Sequence, residues 1–372
     1  MKIFFRISLS IAFSIVLTFS SADVFAQKKS RNISKDERPK NIILLIGDGM
    51  GLPQVYAAMS ASRDNLNISR LPHTAFVKTI SADNYITDSA AAGTALACGV
   101  KTNNGMLGML PDKSPVRSIL HIAEDHGLAT GLAVSCDVTH ATPAAFIANV
   151  ESRKMAQEIA MQYLDSGVDV FIGGGRENFN KRADSLNLLD SLIFRNYQVV
   201  STIPAMMEVT SGKLAGILYP AHPPKYSEGR GDMLSIATSK AIELLVENPK
   251  GFFLMVEGSQ IDWGGHDNNI QYMLDETIDF DMAVGIALDF AEKNGETLVI
   301  VTADHETGGF TNLGGNFLTG EADGKFSAGD HSGTPVPVFT YGPGASHFEG
   351  FLDNTDIFKL MKKLFGFENA LN

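Results

Sequence analysis

Asn41-Ile42-Ile43-Leu44-Leu45-Ile46, followed at once by Gly47-Asp48-Gly49-Met50-Gly51, is the stretch from which the architecture can be read. The run at 41–46 carries mostly apolar, branched side chains without alternation, the pattern of a strand buried on both faces. Similar runs recur at 129–135, 168–172, 252–256, 297–301 and 336–340. Helical patterns fill the intervals at 89–98, 118–126, 154–166, 233–247, 272–294 and 356–364. Such alternation predicts an α/β fold: a single large domain over 41–372, with a mostly parallel central sheet flanked by helices on both faces. No Pro/Gly/Ser-rich linker and no internal repeat divides that span.

Ahead of it, Lys2 and Arg6 precede an apolar run at 7–19, and residues 20–26 end in Val24-Phe25-Ala26. That layout predicts a secretory signal peptide, residues 1–26, cleaved after Ala26; the run is too short to span a bilayer comfortably. Residues 27–40 are polar and aperiodic and read as a flexible leader. No later stretch reaches transmembrane length, so no stable membrane insertion is expected after cleavage, and the mature protein is expected in the periplasm or secreted. The net charge of −12 argues against nucleic acid or an anionic membrane as a specific partner. An anionic substrate would need local positive charge, which metal ions can supply. A hydrophobic fraction of 44% supports a large core. Cys98, in an Ala-rich segment, and Cys136, ending a strand-like run, are a weak signal; buried thiols and a pair both remain open.

Open parallel sheets collect ligands outside the carboxyl ends of their strands. The polar residues of this chain gather there. Asp48 follows the first run, Thr139-His140-Ala141-Thr142 the second, Glu257 the fourth, and Asp304-His305 the fifth. Gly-Asp-Gly alone is usually a turn; directly after a buried strand, Asp48 becomes a candidate metal ligand. In Glu257-Gly-Ser-Gln-Ile-Asp262-Trp263-Gly-Gly-His266, Asp262 and His266 are four apart, which puts both on one face of a helical turn. An Asp/His pair suits zinc or a similar borderline cation. Asp330-His331-Ser332-Gly333 adds a further histidine before the last strand. His73, His121, His126, His222 and His347 lack carboxylate-rich context and read as surface or structural groups.

Asp48, Asp262, His266, Asp304, His305, His331 and Glu257 suffice for two four-coordinate sites with open positions. An oxygen-only set, Asp48, Thr142 and Glu257, would suit Mg²⁺. Two cations about 4 Å apart can stabilise both the attacking and the leaving oxygen of a phosphoryl group. Thr87-Asp88-Ser89-Ala90-Ala91-Ala92 reads as a loop feeding a helix. Ser89 there is either the helix cap or a hydroxyl made nucleophilic by a nearby cation and the helix N-terminus. Arg153, in Glu151-Ser152-Arg153-Lys154, reads as opening a helix; it is a solvated surface group or a bidentate fork for phosphate oxygens, held by Asp88.

With these motifs in hand, the sequence resembles the alkaline phosphatase family from Asn41 to about Leu364. Gly-Asp-Gly-Met-Gly, Thr-Asp-Ser-Ala-Ala, Val-Glu-Gly-x-x-Ile-Asp, Thr-Ala-Asp-His-Glu-Thr-Gly-Gly and the late His-Ser-Gly occur in the family's order. The resemblance implies Ser89 as the phosphorylated nucleophile and Arg153 as the phosphate clamp. It implies one zinc on Asp262, His266 and His331, a second on Asp48, Asp304 and His305, and magnesium on Asp48, Thr142 and Glu257. It further implies double displacement with retention at phosphorus, small phosphate monoesters of broad range, a basic pH optimum and a homodimer. His140 stands where the best-known enterobacterial pattern has aspartate, and Trp263 where it has lysine; both are expected beside the substrate phosphate, and the third site is expected to be weaker or to take another metal. Segments between the motifs look short, so large crown-like insertions are not expected.

Two other readings compete with this one. A sulfatase would need a Cys/Ser-x-Pro-x-Arg segment that the chain does not supply around Ser89, and diesterase relatives typically present threonine and lack an arginine placed like Arg153. A non-catalytic metal- or phosphate-binding protein would capture its ligand without turnover.

Overall fold

A computed structural model describes Ser34 and residues 37–367. The expected secretory signal, residues 1–26, lies outside the described residues, as does most of the 27–40 leader. The end of that leader is tied down: the Lys40 amide donates to the Glu296 carbonyl at 2.8 Å.

The central sheet is built from β1 (Asn41–Gly47), β2 (His73–Lys78), β3 (Ala129–Asp137), β4 (Val170–Gly174), β5 (Tyr197–Val200), β6 (Lys213–Ile217), β7 (Phe252–Gly258) and β8 (Thr297–Thr302). Beyond the short β9 (Glu306–Thr307), the hairpin β10 (Phe310–Asn316) and β11 (Glu321–Phe326), and β12 (His331–Ser332), the sheet gains β13 (Val336–Tyr341) and β14 (Gly350–Asp353). Their order is β14-β2-β13-β8-β1-β7-β3-β4-β6-β5. Every pairing is parallel except the two made by β13.

The helices are α1 (Leu52–Ala61), α2 (Ser89–Cys98), α3 (Ile119–Asp125), α4 (Ala141–Ile147), α5 (Ala156–Gln162), α6 (Arg176–Asn180), α7 (Leu188–Phe194), α8 (Ile203–Met207), α9 (Met233–Leu245), α10 (Ile261–His266), α11 (Ile270–Asn294) and α12 (Asn354–Leu364). α2 packs against α4 and α12 in one layer, and α9 against α11 in the other, so the central strands are covered from both sides. This is why β1, β3, β7 and β8 are buried along their whole length. Each fully buried Ile or Leu there contributes about 1.5–3 kcal/mol relative to exposure.

The six expected strands and six expected helices are all present, with ends shifted by a few residues. The helix expected at 154–166 is shorter, since α5 begins at Ala156. Arg153 therefore does not open a helix; it lies in the turn before α5. Four strands escaped the sequence reading. The strands β2, β5 and β14 lie at or next to the sheet edges and are partly exposed, so they lack a continuous apolar run, and β6 is buried but short and carries a glycine.

Candidate active site at the carboxyl ends of the sheet

Register brings the acidic residues level. Ile46 of β1 pairs with Glu257 of β7 on one side and with Thr302 of β8 on the other. Asp48 and Asp304 follow two residues beyond Ile46 and Thr302, level with each other, and Glu257 stands two residues below them on the adjoining strand. Gly49 turns the chain at φ +73, and a Cβ there would sit 2.7 Å from the Asp262 Cα. That close approach draws α10 onto the end of β1, and α10 carries both Asp262 and His266.

Ser89 is buried, and it is not the helix cap. Asp88 is the cap: its Oδ1 accepts from the Ala91 amide at 2.9 Å. Its Oδ2 accepts from the Gly105 amide at 3.0 Å and from Nη1 of Arg153 at 3.2 Å. The Ser89 hydroxyl is left to face His305, with Oγ 3.2 Å from Nε2. Nη2 of Arg153 lies 3.2 Å from Nε2 of His140. Arg153 is thus braced between Asp88 and His140, and since an arginine only donates, Nε2 of His140 accepts and Nδ1 carries its hydrogen.

The ring tautomers follow from the same reasoning. Nδ1 of His331 lies 2.8 Å from the Thr87 carbonyl, and Nδ1 of His266 lies 3.0 Å from the Gly329 carbonyl. Both donate there, which leaves Nε2 of each ring directed at Asp262 Oδ1, at 3.4 Å from His266 and 3.6 Å from His331. A proton on that nitrogen, as on His266 in the cation-free protein, or a cation between the two groups makes the approach favourable. The Thr307 hydroxyl donates to Asp262 and can only accept from Nδ1 of His305. Nε2 of His305 is therefore aimed at Asp48 Oδ1, 3.4 Å away, and Asp304 Oδ2, 3.3 Å away.

Carboxylates outnumber the cationic side chains at the site, which are His266 beside Asp262 and Arg153 acting on Asp48. Burial pushes the Asp48 carboxyl well up, helped by Asp304, Asp262 and Glu257. Burial raises Glu257 to about 7 and Asp304 to about 6. Burial also acts upward on Asp262, but the hydrogen bond from His266 and the nearby His305 and His331 hold it below the usual range. His266 rises to about 9 through its hydrogen bond to Asp262. Burial and the stacked His331 ring, 3.5 Å between centroids, keep His305 neutral. Both oxygens of Asp48, Oε1 of Glu257, Oδ2 of Asp304 and Oγ1 of Thr142 are buried without a hydrogen-bond partner. Such groups cost several kcal/mol each unless a cation accepts them. Asp48, Asp304 and His305 form one set with donor atoms within 4.8 Å of one another, and Asp262, His266 and His331 form another. The donor types fit divalent cations.

Trp263 and His140 lie together, ring centroids 6.2 Å apart. The sequence reading set His222 aside, yet its ring is 5.6 Å from His140 and 4.9 Å from Trp263. It comes from the loop before α9 and has no carboxylate neighbours in sequence, so no local signal marked it. Thr307 was likewise passed over, although it stands in the quoted motif. Cys98 and Cys136 are both buried and free.

Fold and site define a class: an α/β protein whose sets of candidate metal ligands surround a buried serine at the carboxyl ends of a mostly parallel sheet. Residues 39–328 match the alkaline phosphatase family profile. Alkaline phosphatase 4 of Bacillus subtilis is 34% identical over 95% of this chain and 96% of its own length. The alkaline phosphatase of Escherichia coli is 34% identical over 90% of this chain and 88% of its own. The structure of alkaline phosphatase from the Antarctic bacterium TAB5 superposes with a TM-score of 0.83 at 40% identity, covering 88% of this chain and 98% of that one. A TAB5 variant with a histidine replaced by aspartate has Mg bound in its M3 site. The chain belongs to the alkaline phosphatase family and is a phosphate monoester hydrolase.

Proposed function

We propose that this enzyme works by double displacement, with Ser89 as nucleophile and a phosphoserine as intermediate. The observation that carries the reading is the buried Ser89 hydroxyl, released from capping by Asp88 and held 3.2 Å from Nε2 of His305. Ser89 Oγ bonds to phosphorus as the bond to the leaving alcohol breaks. Water then bonds to phosphorus, the Oγ–P bond breaks, and phosphate departs with net retention. Arg153, braced by Asp88, presents a planar fork to two phosphoryl oxygens, and the N-terminus of α2 adds partial positive charge. His140 and Trp263 line the substrate side of that fork.

Asp262, His266 and His331 would hold one zinc, Asp48, Asp304 and His305 a second, and Glu257, with Asp48 and Thr142 beside it, a third dication, which an oxygen-only set would make magnesium. When bound, these cations supply Lewis acidity to the serine hydroxyl and to the attacking and leaving oxygens. The grip falls on the phosphoryl group and leaves the alcohol outside, which supports a broad range of small monoesters. An alkaline optimum belongs to the same reading, as the family resemblance implies.

The enzyme would be exported by residues 1–26; among the described residues no helix is long and apolar enough to cross a membrane. It would act as a homodimer. Supporting that, Leu52, Tyr56, Leu313 and Leu318 expose apolar side chains on α1 and the β10–β11 hairpin. Sedimentation of purified protein should give twice the chain mass.

The test compares wild type with Ser89→Ala on phenyl phosphate and its diester, with metal content measured alongside. Monoester turnover should fall by about 10³-fold or more with metal retained. Faster diester cleavage by the wild type, or unaltered turnover in the variant, would overturn the reading.

A further inference from the structure

We propose that Cys136 is a cation ligand, and that with His140 and Glu257 it makes the third site of this chain a zinc or cobalt(II) site in preference to magnesium. The inference rests on the reading above that a third dication sits beside Ser89.

Sγ of Cys136, a ring nitrogen of His140 and a carboxylate oxygen of Glu257 all lie within 4.8 Å of one another. Sγ itself is 3.4 Å from Oε2 of Glu257. The placement follows from the sheet. Val134 of β3 is in register with Glu257 of β7, and Cys136 lies two residues beyond it at the carboxyl end of β3. His140 follows at the start of α4. Three polar atoms converge there without partners: Nδ1 of His140, Oε1 of Glu257 and Oγ1 of Thr142. Glu257, Cys136 and Thr142 are each 0% exposed.

Magnesium demands hard oxygen donors in octahedral array. Thiolate, imidazole and carboxylate together form a donor set for zinc or cobalt. Glu257 belongs to both sets, so it is the pivot between them. Binding by the softer set releases the Cys136 thiol proton to solvent, and the thiolate and carboxylate then balance the dication.

The choice also reaches the phosphate clamp. A cation on Nδ1 moves the His140 hydrogen to Nε2, which faces Nη2 of Arg153 at 3.2 Å. Two donors would then oppose each other, and Arg153 must leave His140. With a hard cation on Asp48, Thr142 and Glu257, His140 keeps its Nδ1 hydrogen and Arg153 stays braced.

Metal-stripped protein titrated with Co²⁺ tests this through the absorption spectrum. A thiolate-to-cobalt charge-transfer band in the near ultraviolet should grow with one of three equivalents bound. Cys136→Ser should abolish the band and bind one Co²⁺ fewer, while Cys98→Ser should keep both. Fewer than three equivalents in the wild type, three without the band, or a band that survives Cys136→Ser would overturn the proposal. Should Cys136→Ser not fold, the wild-type spectrum and Cys98→Ser still decide, because the chain has only these 2 cysteines. Wild-type hydrolysis and its loss in Ser89→Ala are scored separately, so a working enzyme without the band sinks the thiolate ligand and leaves the phosphoserine reading standing.

Discussion

The Thr307 side-chain oxygen stands 3.1 Å from Nδ1 of His305, and its single hydrogen is given to Asp262. One hydroxyl therefore fixes the tautomer of a histidine in one proposed zinc set and the orientation of a carboxylate in the other. Outer hydrogen bonds of this kind set how well ligands hold a metal.

Thr307→Val should weaken zinc binding by about 10–100-fold, and Thr307→Ser should restore it. Competition with a chromophoric chelator measures the effect directly. Equal zinc affinity in Thr307→Val and wild type would show that the hydroxyl orients nothing of consequence.

Arg153→Ala should raise both KM for a monoester and the inhibition constant of phosphate by about 10–100-fold, the value of hydrogen bonds to a charged group. Asp88→Asn keeps a capping side chain but removes the charge that braces Arg153, so a smaller rise is expected. Because Asp88 acts through Arg153, the double variant should be little worse than Arg153→Ala alone. Fully additive effects in that cycle would separate the two residues.

Cation removal should matter more as pH rises. Without cations, Glu257 keeps a proton to about 7, Asp304 to about 6 and His266 to about 9. Each folded-state value is raised, so these groups favour the stripped protein at low pH, and that contribution is lost as pH climbs through them. Cations require the deprotonated forms, so binding strengthens over the same interval, roughly pH 6 to 9. The melting-temperature gap between loaded and chelator-treated protein should widen across it; a gap that stays constant or narrows counts against these residues as ligands.

Gly99 ends α2 in the left-handed region, at φ 71, and a Cβ would meet the Phe358 ring of α12 at 2.2 Å. Gly99→Ala should cost about 2–4 kcal/mol, from left-handed backbone strain plus overpacking. Denaturant midpoints of the stripped protein report it. A loss under about 0.5 kcal/mol, the range of an ordinary surface change, would mean that the α2–α12 contact yields easily.

The sequence alone determined the layering and where the site lies. Continuous apolar runs such as 41–46, alternating with helical patterns, point to strands covered on both faces, and such a layering favours parallel order, helical connections and ligands at the carboxyl ends. The exception is β13, from the run at 336–340, which pairs antiparallel. It also placed Asp262 and His266 on one turn, because helical spacing is a local property. What tertiary structure decided is whatever depends on contacts between distant segments. Asp88, not Ser89, caps α2 and also braces Arg153, which sits in a turn and not on a helix. Thr307 and His222 entered the site only when separate loops met, and Cys136 took its place only through the β3–β7 register. Local sequence fixes the direction of a side chain along its own element; pairing between strands decides what that side chain faces.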